Sequence, residues 1–380
     1  MGGSEALATP RGRGTTGPIL GRRALNRTLL QRQGLLERRA VAPLDVVEHL
    51  VGMQAQEPPD PYVGLWSRIA AFDPQSLSDA IAARGAVRIG LMRTTLHLVS
   101  TPDALGLAPI MDGVQRRVYR SSALAKELGD VDQAPIIEAA RELLTAGPLT
   151  PTALGAALAE RFPGSQPSPL ALLARYHLPL VQVPPRGLWR QSGRATNTTL
   201  EAWTDGTPTA FALEDVVRRY LAAFGPASTA DIRTWSWLTG VRAIVDRIRG
   251  ELRVYRDERG RELLDVADGS IADPDLPAPV RFLPQYDNVF LSHDDRSRIS
   301  GSLSWGLDFN WKGVVLVDGG INGAWRVRRE KGQPPTMTIE LGRILTPPER
   351  ADLEGEADRL SRFLDPERPP VIVIVEAGGG

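Results

Sequence analysis

Leu213-Glu-Asp-Val-Val-Arg-Arg-Tyr-Leu-Ala-Ala-Phe-Gly-Pro-Ala-Ser-Thr229 holds a helix, its stop and the cap of the next helix. Leu213, Val216, Val217, Tyr220 and Phe224 recur at helical spacing, which gathers them on one buried face. Gly225-Pro226 ends that helix, because a residue before proline is pushed out of the α region. Ser228 or Thr229 then offers a side-chain oxygen to the free N–H groups of a second helix through Ile232 and Trp235. A third helical pattern near Val241 to Ile248 precedes Glu251-Leu-Arg-Val-Tyr255, a polar turn at Asp257 to Gly260, and Glu262-Leu-Leu-Asp-Val266. Three helices followed by a hairpin describe a winged helix-turn-helix.

The same layout stands upstream. Residues 136–146 form a helical pattern broken by Gly147-Pro148, and Thr150 caps a second helix carrying Leu154 and Leu158. A third helix around Leu170 to Tyr176 leads into Leu180-Val-Gln-Val183, a Pro-Pro-Arg-Gly turn and Leu188-Trp-Arg-Gln191, read as a second hairpin. A less regular copy occupies residues 24–100, with its strands between Val87 and Val99. The chain thus reads as an internal repeat. The expected fold is α+β: three tandem winged helix-turn-helix modules over residues 19–130, 131–208 and 209–275, then a β-rich region over 276–380. Within that last region, a helix from Pro348 to Leu364 precedes Val371-Ile-Val-Ile-Val375, which reads as a buried strand.

Bulk properties narrow the chemistry. The 380 residues include no cysteine and only four histidines, which excludes disulfides and thiolate metal sites and leaves little for a zinc centre. No metal and no cofactor are expected. The formal net charge is zero, so any contact with phosphates must come from one basic face rather than from the whole chain. The basic residues are nearly all arginine, Lys126, Lys312 and Lys331 being the only lysines, and arginine suits bidentate phosphate contact. Residues 1–18 read as a disordered basic tail without the apolar core of a signal peptide, and Val371–Val375 is too short to span a bilayer. A cytoplasmic protein is expected. No nucleophile elbow, Walker A loop or zincin helix is present.

Within Val51-Gly-Met-Gln-Ala-Gln-Glu-Pro-Pro-Asp60, Gln54 and Gln56 sit one residue apart. If the chain unwinds at Met53, the two amides point one way and Ala55 the other. Four pieces surround this pair: Leu25-Asn-Arg-Thr-Leu-Leu-Gln-Arg-Gln33, Leu50-Val-Gly-Met-Gln-Ala-Gln56, Pro61-Tyr-Val-Gly-Leu-Trp-Ser-Arg68 and Leu91-Met-Arg-Thr-Thr-Leu-His-Leu-Val-Ser100. Far downstream stands Leu283-Pro-Gln-Tyr-Asp-Asn-Val-Phe-Leu-Ser-His-Asp-Asp-Arg-Ser-Arg298. In this order the pieces resemble the AlkZ/YcaQ family of bacterial winged-helix DNA glycosylases. The family's catalytic motif is Gln-x-Gln in the AlkZ-like branch and Gln-x-Asp in the YcaQ-like branch, so the resemblance places the catalytic pair on Gln54 and Gln56.

The resemblance further implies a C-shaped DNA-binding cradle, double-stranded DNA carrying alkylated purines as partner, a monomer, and N7-alkylguanine lesions, crosslinks included, as substrates. Candidate DNA contacts are Arg93 and His97, then Arg186, Arg190 and Arg194 on the second wing, and Arg326 and Arg328 after the turn Asp318-Gly-Gly-Ile-Asn-Gly323. Family members probe DNA with a hairpin, and the strands flanking that turn are the candidate for it. Asp287, Asn288 and His293 read as residues that brace the backbone, with a His–Asp acid–base pair as the sharper alternative. Two other functions fit modules of this kind: a winged-helix regulator without enzymatic activity, and a helical scaffold that binds protein.

Overall fold

A computed structural model describes residues 17–129, 131–300 and 312–376. The expected basic tail, residues 1–18, lies outside those residues except for its last two positions. Among the described residues no helix is long and apolar enough to cross a membrane.

Residues 213–266 fold as read. Helix Leu213–Phe224 stops at Gly225, and helix Thr229–Ser236 starts with Ser228 accepting from the Asp231 N–H while Asp231 accepts from the Ser228 N–H. This reciprocal cap satisfies two otherwise orphaned donors. Helix Val241–Ile248 follows, then the antiparallel hairpin Leu252–Asp257 and Glu262–Val266. Strand Ile19–Leu20 adds to the outer edge of that hairpin in parallel, so the start of the described chain completes this sheet.

The upstream segments share one sheet. Its order is Met53–Gln54, Leu96–Ser100, Ala86–Gly90, Leu180–Gln182 and Asn197–Thr199, so strands from residues 53–100 and from residues 180–199 meet in it. Helices Gln133–Ala146, Pro151–Arg161 and Pro167–His177 nevertheless keep a core of their own around Ile136, Leu144, Leu158 and Leu173. Thr150 caps the second of these helices, as its position required.

The second wing departs from expectation. Its returning strand is Asn197–Thr199, not Leu188–Gln191. Trp189 is the physical reason: its ring packs on Tyr62 and Phe363 at 4.9 and 5.0 Å, and Tyr62 donates from its hydroxyl to the Gly187 carbonyl at 2.7 Å. The intervening loop is therefore folded down onto the first unit and the C-terminal helix.

The last region is a five-stranded sheet in the order Val371–Val375, Thr336–Leu341, Gly320–Arg328, Gly313–Val317 and Arg281–Leu283, covered by helix Pro347–Leu364. Val371–Val375 is an edge strand, not a buried one: Ile372 and Ile374 pack inward while Val371, Val373 and Val375 face outward. The turn at Asp318-Gly319 does not project as a probe. Both residues have positive φ, closing a tight hairpin, and a Cβ on Gly319 would sit 2.5 Å from Asn26 Oδ1. Arg23 and Arg27 of helix Arg22–Arg32 hold the Asp318 carboxylate there.

That helix is a hub. Asn26 donates to the carbonyls of Arg298 and Gly319 at 2.8 and 2.7 Å, while Arg32 forms a two-pronged buried pair with Asp265 of the third hairpin at 2.8 Å. Paired buried charges of this kind fix how elements dock, since removing either partner strands the other. The Leu25-Asn-Arg piece therefore joins the third unit and the C-terminal sheet to the rest.

Candidate active site

Helix Pro43–His49 ends at Leu50, and two residues of positive φ, Val51 and Gly52, turn the chain into strand Met53–Gln54. A Cβ on Gly52 would lie 2.6 Å from Val99, so only glycine fits this approach. Met53 and Gln54 pair with Leu98 and His97, and the Ala55 N–H donates to Leu96 at 2.7 Å. The chain is extended here, and its side chains alternate: Ala55 is wholly buried and Gln56 is exposed.

Three side chains from distant segments hold this strand. Asn288 donates to the Gly52 carbonyl at 2.8 Å. Arg88 donates to the Ala55 carbonyl at 2.7 Å and also to the Gln182 Oε1 of the second unit. Arg93 donates to Gln54 Oε1 at 3.0 Å and to the Trp235 carbonyl of the third unit at 2.5 Å. Asn288 is itself placed by Asp287, which caps helix Asn288–Leu291 and makes a fully buried, two-pronged pair with Arg68 at 2.7 and 2.9 Å.

Gln54 and Gln56 open differently. Gln56 lines a cleft of about 650 Å³ between helix Thr101–Ser121 and the second unit, with Gln115, Arg116, Arg141, Arg175 and Gln182. Gln54 is only 8 % exposed and lies beneath, held by Arg93. The cleft is of a size that takes a small organic group, and three of its arginines come from three different helices.

Two of the expected DNA contacts are corrected. Arg93 is engaged by Gln54 and Trp235, and burial, followed by the charge of Arg296, pushes its pKa down to about 10. His97 is 2 % exposed, donates from Nδ1–H to the Thr95 carbonyl at 2.9 Å, and is driven to about 3 by burial and then by Arg93. It is neutral at physiological pH and enclosed, because the strand that brings it opposite Gln54 also turns it into the core. Arg190 is exposed and donates to the Leu364 carbonyl at 2.8 Å. Arg186 lies within 3.5 Å of the Gly193 carbonyl, Arg194 and Arg328 are exposed, and Arg326 lies 3.6 Å from Glu340. His293 bonds to Ser292 and to the Phe224 carbonyl, and burial drives it to about 3. It makes no hydrogen-bonded pair with Asp287, whose partner is Arg68.

Sequence reading missed Asp60. Its Oδ2 is enclosed without a hydrogen-bond partner, and burial, with Glu57 and Asp287 adding negative field, pushes the carboxyl up to about 8. An unfolded Asp ionises at its ordinary value, so between roughly pH 4 and the folded value the native state holds a proton that the unfolded state has lost. Stability therefore falls as pH rises through that window. Asp60→Asn is expected to raise the urea midpoint at pH 9 relative to wild type and leave it unchanged near pH 4; an unchanged midpoint at pH 9 contradicts this reading.

Gln54 and Gln56 thus stand one residue apart, the first buried against Arg93 at the end of its strand and the second exposed just beyond it in a cleft lined by Arg116, Arg141 and Arg175. The solved structure of the DNA glycosylase AlkZ from Streptomyces sahachiroi has the same fold, with a TM-score of 0.71, 21 % identity, and coverage of 94 % of this chain and 100 % of that one. The family described as DNA glycosylase AlkZ-like matches residues 47–363, and the chain belongs to that family. No curated protein matches it significantly.

Proposed function

We propose that this chain hydrolyses the N-glycosidic bond of N7-alkylated purines in double-stranded DNA, with Gln54 and Gln56 as its catalytic pair. The observation that carries the proposal is Gln56, an amide rather than an acid, exposed in the cleft two residues after a second amide that ends strand Met53–Gln54. An amide cannot protonate a leaving group. An N7-alkylated purine needs no proton, because it already carries positive charge. Water then bonds to the anomeric carbon, the bond to N9 breaks with its electron pair passing to the purine, and the spare proton of the water leaves to solvent. What the protein supplies is a placed water and partial negative charge beside the developing sugar cation, and the Gln56 carbonyl oxygen offers both. Asp60, whose Oδ2 is enclosed, is not among the residues that line the cleft.

The three helix-and-hairpin units serve in this reading as winged-helix modules, residues 19–130, 131–208 and 209–275, that with the region 276–380 form an open, C-shaped cradle for one monomer on a duplex. Arg186, Arg190, Arg194, Arg326 and Arg328 are the proposed phosphate contacts, together with Arg116, Arg141 and Arg175 in the cleft. An open cleft suits bulky adducts and interstrand crosslinks better than a closed base-flipping pocket does, and such a repair activity would give resistance to an alkylating natural product in a bacterial nucleoid.

The test is the identity of the bases set free. Duplex DNA treated with a methylating agent or a bulky aromatic alkylator, and DNA containing hypoxanthine, are incubated with the protein and the released bases measured by mass spectrometry. Release of N7-alkylated purines without hypoxanthine is expected. Release of hypoxanthine at a comparable rate, or no release of N7-methylguanine, contradicts the proposal.

A further inference from the structure

We propose that Arg93 is a positioning residue that turns the Gln54 carbonyl oxygen inward and leaves its amide NH2 as a donor to the departing purine. The inference rests on the glycosylase reading above and assigns a division of labour within its site. An arginine can only donate, so the group it meets on Gln54 must be the oxygen, and the 3.0 Å contact fixes which way the amide lies. Gln54 Nε2 is then the open end: it makes no hydrogen bond to the protein among the described residues.

Several observations show that the arrangement is imposed. Arg93 and Thr94 both adopt positive φ, 55° and 58°, a conformation costly for residues with side chains. The other end of the guanidinium is tied to Trp235 at the end of a helix in the third unit. The group stays charged at neutral pH although burial and the charge of Arg296 weaken its hold on the proton. Arg296 in turn stands over the Phe290 ring at 4.3 Å. A fixed cation behind Gln54 opposes positive charge building on the sugar nearby, so Gln54 is unsuited to stabilise the oxocarbenium. An N–H donor backed by a cation suits the opposite partner, the purine that receives the electron pair as the bond breaks. Gln56, whose side chain opens freely into the cleft, keeps the water and the sugar.

Three measurements on the full-length protein test this. In single-turnover release of N7-methylguanine, Arg93→Met is expected to lower the maximal rate by about 100-fold, as for loss of one transition-state donor. The half-saturating protein concentration should change by less than about threefold. In a Gln54→Ala background the same substitution should cost nothing further, since it acts through Gln54. A full additional loss, or weakened DNA binding alone, overturns the assignment.

Binding to a duplex with a cationic 1-azaribose abasic site, which mimics the charged sugar and lacks a base, separates the two amides. Gln56→Ala should weaken it at least about tenfold and Gln54→Ala by less than about twofold, following the rule that only interactions made in the transition state are felt by its analogue. Equal weakening by both substitutions overturns the donor role. Finally, the side-chain amide signals of Gln54, assigned by their disappearance in Gln54→Ala, should move to the position of a solvated glutamine in Arg93→Lys and Arg93→Met; unchanged signals overturn the contact. This last arm gives its answer even if the wild type releases no base, so failure of the glycosylase reading and failure of the Arg93 assignment are told apart.

Discussion

Gln56→Ala is expected to lower the single-turnover release of N7-methylguanine by about 100- to 1000-fold, the range observed when one group that stabilises a transition state is removed from an enclosed site. Its affinity for the same duplex should stay within about threefold of wild type, because the arginines that meet phosphates are untouched. The reasoning is local. Gln56 is the exposed amide on a strand whose backbone is fixed at Gly52 by Asn288 and at Ala55 by Arg88, so its carbonyl oxygen is presented without the cost of ordering a loop. Alanine leaves that scaffold intact and removes only the oxygen. Gln56→Asp restores an oxygen at one atom's shorter reach and should retain activity. A loss of DNA affinity equal to the loss of rate would mean that Gln56 only binds.

Asp287→Ala is expected to destabilise the fold by about 3–5 kcal/mol, the cost of leaving a buried charge without its partner. Arg68 is enclosed with Asp287, its Nε already lacks a hydrogen-bond partner, and its remaining bonds reach Gln33 and the Gly64 carbonyl. The substitution also removes the cap of helix Asn288–Leu291, whose first residue clamps Gly52. Urea unfolding of wild type and Asp287→Ala gives the number directly; a difference below about 1 kcal/mol, the value of an exposed ion pair, would mean that the pair is not sealed from water.

Much of this fold was written in local signals. Ser228, Thr150 and the Gly225-Pro226 break each act within a few residues, so helix starts and stops were legible, as was the helix that was placed at Pro348–Leu364 and spans Pro347–Leu364. The unwinding ahead of the prolines was legible, but the strand covers only Met53–Gln54. Gln54 is buried against Arg93 while Gln56 is exposed, so the expected common direction of the two amides does not give them a common exposure. What failed depended on distant partners. Nothing near Leu188–Gln191 says that Trp189 will pack on Tyr62 and Phe363, and that contact removes the segment from the hairpin. The Asp318-Gly319 turn has the chemistry of a free hairpin tip, yet helix Arg22–Arg32, placed far away in sequence, meets it. Arg93 and His97 look like surface residues in a short motif because only the pairing of Gln54 with His97 reveals that they line the inside of the site. The alternation of Val371–Val375 could not be seen from composition, since every residue in the run is apolar and only its edge position exposes one face.

The most direct measurement of the central claim is the formation of alkali-labile abasic sites in a duplex carrying one N7-methylguanine, with protein in excess, for the wild type, Gln54→Ala and Gln56→Ala. Strand cleavage by the wild type that both substitutions reduce by two orders of magnitude or more, about the value of a lost transition-state contact, is the predicted result. A wild type that binds the duplex and leaves the base in place, or one that both substitutions leave fully active, would contradict the account.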